Sequence, residues 1–317
     1  MSSQPLIKVN NLVRYYGDHC AVDDISFELA AGDILGFLGP NGAGKSTTMQ
    51  MLSGNLAPSE GEIVINGVDL LDSPKAAKSA LGYLPETPPL YKDMCVDEYL
   101  GYCARLRRIP AQQIREALDL AKQRCGLADV SKRLIGNLSK GYQQRVGIAQ
   151  AILHSPAVII LDEPTVGLDP IQIREIRELI ADLGQSHGII LSTHILPEVQ
   201  AVCNRVQIIN QGKLVYASDM AGLLEQQDTG RYELVLKQAP SIAELNNIAL
   251  IKQAQQRGDH HFIVEIDGKV EELARLAVEN NWGLQKLVAD QKSLENIFVT
   301  LTSGDADTGI THEEAAA

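Results

Sequence analysis

The chain has 317 residues, of which 45% are hydrophobic and 21% charged, with 26 glycines and 13 prolines. These proportions are ordinary for a globular protein of roughly two domains, and they exclude collagen, coiled-coil and disordered classes. The formal net charge is −12, from 28 Lys and Arg against 40 Asp and Glu. Since no basic clusters accompany this acidic balance, the composition argues against binding to nucleic acid or to anionic lipid.

Cysteine usage and hydropathy indicate the compartment. The five cysteines stand singly, without a CxxC pair or a His at metal-binding spacing, which is typical of a reducing compartment. The N-terminus lacks a basic segment followed by an apolar stretch, and no window approaches the roughly 18 apolar residues that a membrane-spanning helix needs. We therefore expect a soluble, cytoplasmic chain that can still dock on a membrane protein.

The first part of the chain combines short strands with one glycine-rich loop. The continuous apolar run 34–38 predicts a strand that is buried on both faces. It leads into the loop 39–47, and residues 48–52 then continue with helical spacing. Further strands are predicted at 6–9, 22–29 and 81–85, with a hairpin around 61–67.

The middle of the chain predicts a parallel α/β core. Residues 96–126 have a mostly helical pattern, and Ser139 is a suitable N-cap for a helix that continues to about Leu153. The apolar runs 158–161 and 188–192 predict two more fully buried strands. Strands and helices that alternate in this way build a parallel sheet.

The pattern restarts after about Gln227. Strands are predicted at 232–236, 248–253, 261–266 and 284–288, and helices at 241–246, 270–278 and 294–301. The order β-α-β-β-α-β is that of a ferredoxin-like sandwich. Residues 304–317 have too little apolar surface to pack, and we expect a disordered tail there. The expected parts are thus an α/β domain 1–226, an accessory α+β domain 227–303 and the tail.

A phosphate-binding motif follows the strand at 34–38. Residues 39–46 match GxxxxGK[ST] in the strand–loop–helix context that this pattern requires. The glycines allow successive backbone N–H groups to turn toward a phosphate, Lys45 can reach the terminal phosphates, and Ser46 can hold Mg²⁺. The candidate nucleotide-binding residues of the loop are Gly39, Pro40, Asn41, Gly42, Ala43, Gly44, Lys45, Ser46 and Thr47.

Two carboxylates, Asp162 and Glu163, follow the strand predicted at 158–161. We expect Asp162 to orient the ligands of Mg²⁺, and Glu163 to act as the base or the positioner for an attacking water. Beside a phosphate-binding loop, this pair indicates a nucleoside triphosphatase.

Five further segments resemble the motifs of ABC ATPases. LSKGYQQR at 138–145 resembles the signature motif, whose usual form is LSGGQQQR, and VGLDP at 166–170 resembles the D-loop. His194 resembles the switch histidine, and Tyr16 resembles the aromatic residue that stacks on adenine. LGYLPE at 81–86 resembles the segment that carries the Q-loop. The resemblance covers about residues 6–220, with all motifs in the family order.

This resemblance implies a fold, an activity and partners. The fold is an α/β P-loop cassette with an antiparallel β-subdomain and a helical subdomain, and the activity is ATP hydrolysis with Mg²⁺. Two cassettes, either two copies of this chain or this chain and a related ATPase, would face each other head to tail. A separate integral-membrane permease would be the transport partner. The implied site comprises catalytic Glu163 and His194, nucleotide-binding Tyr16, Ser139, Gly141 and Asp169 beside the loop residues above, and metal-binding Ser46, Glu86 and Asp162.

Within the family, the chain resembles the ATP-binding subunits of ABC-2-type exporters, including the gliding-motility type. Residues 293–299, SLENIFV, resemble the SLEDIF ending of accessory domains in that group. This resemblance implies export, from a position on the cytoplasmic face of the inner membrane. Residues 87–110, which include Tyr91, Tyr99 and Tyr102, are either the surface that meets the permease or ordinary core of the helical subdomain.

Three residues depart from the family pattern. Glu86 stands where the family usually has Gln, so it keeps an oxygen for Mg²⁺ or water but adds negative charge beside the phosphates. Lys140 and Tyr142 replace the Gly and Gln of the signature. Ser139 and Gly141, the residues expected to meet the γ-phosphate, remain, and we expect the site to stay competent.

Other classes fit the sequence less well. ABC ATPases of translation usually carry two tandem cassettes, and those of chromosome maintenance split the cassette with a long coiled coil, whereas only 93 residues lie between Lys45 and Ser139. A GTPase would carry an NKxD segment, which this chain lacks. A non-catalytic binding module would be expected to lose Lys45 or Glu163.

Overall fold

The computed structural model describes residues 4–225, 230–290, 298–299 and 301–302. Two compact units, residues 1–220 and 221–317, divide the chain. The strands are β1 (Ile7–Tyr16), β2 (His19–Leu29), β3 (Ile34–Leu38), β4 (Glu60–Ile65), β5 (Val68–Asp69), β6 (Leu81–Leu84), β7 (Val158–Asp162), β8 (Gly188–Thr193), β9 (Arg205–Asn210), β10 (Lys213–Asp219), β11 (Arg231–Leu236), β12 (Ile251–Gly258), β13 (His261–Ile266) and β14 (Leu284–Ala289). The helices are α1 (Lys45–Leu52), α2 (Pro74–Ser79), α3 (Val96–Leu106), α4 (Ala111–Arg124), α5 (Lys140–Ile152), α6 (Pro170–Gly184), α7 (Leu196–Val202), α8 (Met220–Glu225), α9 (Ile242–Asn246) and α10 (Val270–Glu279).

A six-stranded sheet forms the centre of the first unit. Its strand order is β10-β9-β3-β8-β7-β6, and all neighbours are parallel except β10 with β9. Every residue of β3, β7 and β8 is buried, which explains their continuous apolar sequences. Because these three strands are parallel neighbours, their carboxyl ends meet at one edge of the sheet.

A second, antiparallel sheet has the order β2-β1-β4-β5. Its apolar residues, among them Ile7, Ile25 and Ile63, share one core with Phe37 of β3 and Met49 of α1. This common core holds α1, and therefore the loop before it, against both sheets. The predicted antiparallel β-subdomain is confirmed.

The stretch predicted as mostly helical, 96–126, forms two helices. α3 ends at Leu106, and Arg108 then takes a left-handed φ of 60°. Pro110 precedes α4, since proline suits the start of a helix but not its interior. The Oγ of Ser139 accepts a hydrogen bond from the N–H of Tyr142 and caps α5, as predicted.

The second unit is an antiparallel sheet of order β12-β13-β11-β14 with α9 and α10. This is the order of a ferredoxin-like sandwich, and the predicted α+β architecture is confirmed. Leu234, Phe262 and Val264 of the sheet pack with Leu273 and Ala277 of α10 in a core of their own.

Three predictions for this unit need comment. β12 starts at Ile251, three residues later than predicted, because hydrogen bonds from Ile248 N to Leu245 O and from Ile251 N to Ile248 O turn the chain after α9. The predicted helix 294–301 lies outside the described residues except at 298–299 and 301, which are helical, and so does the predicted tail 304–317.

Over the described ranges, no helix has both the length and the apolar character to cross a membrane.

Candidate functional site

The carboxyl end of β3 continues into a loop that leads to the start of α1. Gly42 and Gly44 take φ angles of 81° and 107°, which residues with a Cβ rarely adopt. At Gly44 a Cβ would also lie 2.6 Å from the carbonyl oxygen of Ala21. No side chain in the described part of the chain caps the first turn of α1. Its backbone N–H groups are therefore available to an anion such as a phosphate.

Lys45, the first residue of α1, is held inside this loop. Its side chain is 6% exposed, and its ammonium donates hydrogen bonds to the carbonyl oxygens of Gly39 at 2.8 Å and Pro40 at 3.2 Å. The Nζ lies 3.7 Å from Oε1 of Glu163. Burial lowers the pKa of Lys45, and the negative charges of Glu163 and Asp162 oppose that shift. A buried cation thus lies at the centre of the loop.

Glu163 and His194 come together although they follow different strands. The Nδ1 of His194 lies 2.9 Å and 3.0 Å from the two carboxylate oxygens of Glu163. Glu163 takes a left-handed φ of 48°, and its N–H donates to the carbonyl oxygen of Ser192 at 2.9 Å. Such a conformation costs about 1–3 kcal/mol for a non-glycine residue and is common at functional sites. It turns the Glu163 side chain from β7 toward Lys45.

Asp162 ends β7 and is 3% exposed. Burial raises the pKa of this carboxyl above its usual range, and the charges of Glu163 and Glu86 act in the same direction. Its Oδ1 is buried without a hydrogen-bond partner. A buried, unpartnered carboxylate oxygen is costly unless a cation or a donor reaches it.

These elements enclose a cavity of about 490 Å³. It is lined by Tyr16, His19, Ala21, Asn41, Gly42, Gly44, Lys45, Ser46, Thr47, Glu86, Glu163, Val166 and His194. The predicted residues Gly39, Pro40, Ala43 and Asp162 do not line it, but they belong to the loop and the strand that shape it. Tyr16 is 46% exposed at the rim, with the guanidinium of Arg14 4.9 Å from its ring centre.

Three predicted nucleotide-binding residues lie elsewhere. Ser139 caps α5, Gly141 follows in its first turn, and the Asp169 carboxylate caps α6 by accepting from the N–H groups of Ile171 and Gln172. None of the three lines the cavity. They are close to one another, because a Cβ on Gly141 would touch the side chain of Gln172, 2.6 Å away at its Cδ. Within one chain, the candidate site therefore has two separate parts.

Sequence reasoning missed two residues of the cavity, His19 and Ala21, and it included Val166 only as part of the segment 166–170, not as a site residue. His19 pairs with Tyr16 across the turn between β1 and β2. The turn that Gly17 indicates, directly after Tyr16, is therefore the signal that could have placed His19 beside Tyr16. Ala21 is placed by its contact with the glycine loop, a long-range relation that no local pattern shows.

Comparison with known proteins identifies the family of this site. A family model described as ABC transporter matches residues 22–166. The chain is 35% identical over 310 residues to the bacitracin transport ATP-binding protein BcrA of Bacillus licheniformis, covering 94% of this chain and 98% of that protein.

Two solved structures agree with this result. A structure of the ATP-binding subunit of an ABC transporter matches with a TM-score of 0.64 and 31% identity, over 70% of this chain and 92% of the other. CbiO1 of Clostridium perfringens, part of the ABC transporter complex CbiONQ, matches with a TM-score of 0.65 and 27% identity, over 77% of this chain and 95% of the other. The chain therefore belongs to the ATP-binding subunits of ABC transporters, and it is an ATPase of that family.

Proposed function

We propose that the chain binds ATP with Mg²⁺ in the cavity beside Lys45, hydrolyses it as one half of a head-to-tail dimer, and drives export through a separate membrane permease. The observation that carries this proposal is the meeting of Lys45, Glu163 and His194 at the carboxyl ends of three neighbouring strands. A cation for phosphate, a carboxylate for water and an imidazole beside it form a site for phosphoryl transfer to water.

The nucleotide is held by the loop and the start of α1. The free N–H groups of the first turn and the Lys45 ammonium bind the β- and γ-phosphates, since all of them present donors at one place. Thr47 and Asn41 line the same cavity. Tyr16, exposed at the rim, offers its ring to the adenine base.

The residues present fit a Mg²⁺ ion. The ion prefers oxygen ligands and keeps several waters, so it needs few protein groups besides the phosphates. Ser46, Glu86 and Asp162 would hold it, and the unpartnered Oδ1 of Asp162 is the observation that supports this fit. The ion supplies charge stabilisation to the phosphates.

Glu163 and His194 act on the attacking water. The Glu163 carboxylate accepts a proton from the water or orients it, and His194 fixes the carboxylate through its Nδ1. Lys45 Nζ also lies 3.7 Å from Oε1 of Glu163, so water, base and phosphate would be held in one small volume.

Dimerisation would complete the site. Ser139 and Gly141 do not line the cavity of their own chain, which leaves them free to contact the γ-phosphate bound by a second cassette. ATP then stabilises the closed dimer and ADP does not, and this difference in binding energy is what moves the permease.

We propose that the helical subdomain meets the permease around Tyr91, whereas Tyr99, which is 3% exposed, belongs to the core. The Tyr91 ring is 53% exposed and lies edge-on to the rings of Tyr99 and Tyr102. Such an aromatic patch suits an apolar partner helix. The names of BcrA, a bacitracin transport protein, and of CbiO1, part of the CbiONQ complex, support transport with partner subunits. An ABC-2-type exporter, attached to the cytoplasmic face of the membrane, is the class that we propose.

Reconstitution tests this proposal. The chain is purified together with the membrane protein that co-purifies with it, and the complex is inserted into vesicles. ATPase activity is then measured while candidate substrates are added. Stimulation that disappears with Glu163→Gln supports the proposal. ATP hydrolysis that no permease binds or alters would contradict the transport role.

A further inference from the structure

One buried carboxylate joins the two loops that carry Glu163 and His194. Glu198, in the first turn of α7, is 1% exposed. Its Oε1 accepts a hydrogen bond from Thr165 Oγ1, two residues after Glu163. Its Oε2 accepts one from Thr193 Oγ1 at 2.7 Å, one residue before His194. The two oxygens of a single side chain thus bind the loop after β7 and the last residue of β8, directly before His194.

The charge of Glu198 is balanced only by hydroxyls and by the helix. In the part of the chain that the structure describes, no Lys, Arg or His forms an ion pair with it. Burying a carboxylate without a counter-ion is costly unless its oxygens are hydrogen-bonded. The two threonine bonds and the start of α7 are what stabilise the charge. Both bonds are therefore strongly required in the folded state.

The geometry around Glu163 needs such a restraint. Its φ of 48° is unfavourable for a residue with a side chain, so the surrounding structure must impose it. On one side, Glu163 N donates to Ser192 O in β8. On the other side, the Thr165 hydroxyl is bound to Glu198. Thr193 is fixed twice, since its Oγ1 also accepts from Ile195 N at 3.1 Å.

We propose that Glu198 is a positioning residue for ATP hydrolysis. It holds the two loops together, so that Glu163 and His194 meet within 2.9 Å. This inference rests on the roles proposed above for Glu163 and His194. Glu198 does not line the nucleotide cavity. Its loss should therefore lower kcat and leave the affinity for ATP unchanged.

A threonine series tests the role, and each variant is compared in kcat, in KM and in the dissociation constant for ATP. Thr165→Val and Thr193→Val keep the shape of the side chain but remove the hydroxyl, and we expect kcat to fall about tenfold, as for the loss of one hydrogen bond to a charged group. Thr165→Ser and Thr193→Ser keep the hydroxyl, and we expect kcat within about threefold of the wild type. The dissociation constant for ATP should change less than about threefold in all four.

A double-variant cycle assigns the effect to Glu198. In a Glu198→Ala background, Thr193→Val should cost no further activity, because the bond is already absent. Val199→Ala is the matched control, since it shortens a buried side chain of α7 that packs on Gly36 of β3 and takes no part in these bonds. It should lower the melting temperature and leave kcat unchanged.

Several outcomes would overturn the proposal. One is a pair of valine variants with wild-type kcat, and another is a loss that appears in ATP affinity alone. If Glu198→Ala fails to fold, the threonine series still decides, because each variant differs from threonine in one group: valine replaces the hydroxyl with a methyl, and serine lacks only the methyl. Full turnover in Glu163→Gln would instead contradict the proposed function, and this separates the two failures.

Discussion

The Lys45 ammonium lies 3.7 Å from Oε1 of Glu163, and both side chains are nearly inaccessible to solvent. Lys45 follows β3 and Glu163 follows β7, and β8 lies between these strands in the sheet. The pair therefore spans β8, the strand that His194 directly follows. A nucleotide phosphate at Lys45 would lie beside the carboxylate that we propose to act on water.

The first prediction concerns Glu163. Glu163→Gln should bind ATP and Mg²⁺ but hydrolyse ATP roughly 10²- to 10⁴-fold more slowly, because the amide cannot accept a proton from water. Steady-state turnover and ATP binding by fluorescence measure the two quantities. Glu178→Gln, an exposed change on α6, is the control. Near-normal turnover in Glu163→Gln would remove Glu163 from the catalytic role.

The second prediction concerns assembly. The Glu163→Gln protein should be mainly monomeric with ADP and dimeric with ATP, because in the proposed dimer Ser139 and Gly141 of a second cassette complete the ATP site. Light scattering gives the mass in each state. The same mass with both nucleotides, in the presence of the permease as well as in its absence, would contradict a head-to-tail dimer.

The third prediction concerns Glu86, which lines the cavity. Glu86→Gln should keep the affinity for ATP within about tenfold but alter the Mg²⁺ dependence of turnover, since it removes a full charge beside the cation. A magnesium titration of the ATPase rate measures the effect. An unchanged titration would show that this carboxylate has no part in binding the ion.

The fourth prediction concerns the domain boundary that the sequence suggests near Gln226. A fragment 1–226 should be soluble and should hydrolyse ATP, because all nucleotide-contacting motifs lie upstream and the second unit has its own core. We expect the fragment to associate less with the permease or to lose regulation of its ATPase activity. ATPase activity and thermal melting of the fragment beside the full chain test this. An insoluble or inactive fragment would mean that later residues complete the core of the cassette.

The fifth prediction concerns pH and His154. Its Nε2 donates to the carbonyl oxygen of Leu81 at 3.1 Å, and burial, with the charge of Arg107 adding to it, lowers the pKa of His154 from 6.5 to about 4. Between these two pH values the unfolded chain binds more protons than the folded chain. The contribution of His154 to the free energy of unfolding is therefore fully present above pH 6.5 and is lost as the pH falls to about 4. The loss is on the order of 3 kcal/mol.

The control for that prediction is a neutral side chain at the same place. His154→Gln should flatten the fall in the free energy of unfolding between pH 6.5 and 4, measured by urea denaturation, although the protein can be less stable at neutral pH. An equally steep fall in the variant would show that other groups cause it.

Local sequence patterns determined where the strands, the glycine loop and the helices of this protein begin. The strand at 34–38, the loop after it and the capped helix after Ser139 follow from burial, glycine conformation and a side-chain hydrogen bond within three residues. Each of these is a short-range relation, so the residues themselves carry the signal. The break of the helical stretch near Pro110 had such a signal as well, and the left-handed Arg108 shows where the chain turns.

The tertiary structure alone decided which of these pieces meet. The order of the strands brings Lys45, Glu163 and His194 together and leaves Ser139 and Gly141 outside the same cavity. It also places Glu198 within hydrogen-bond distance of Thr165 and Thr193. These contacts join residues far apart in the chain, and they depend on which strands pair and how helices pack over them. Strand pairing is set by the burial of whole faces in a common core, which no local pattern of residues expresses.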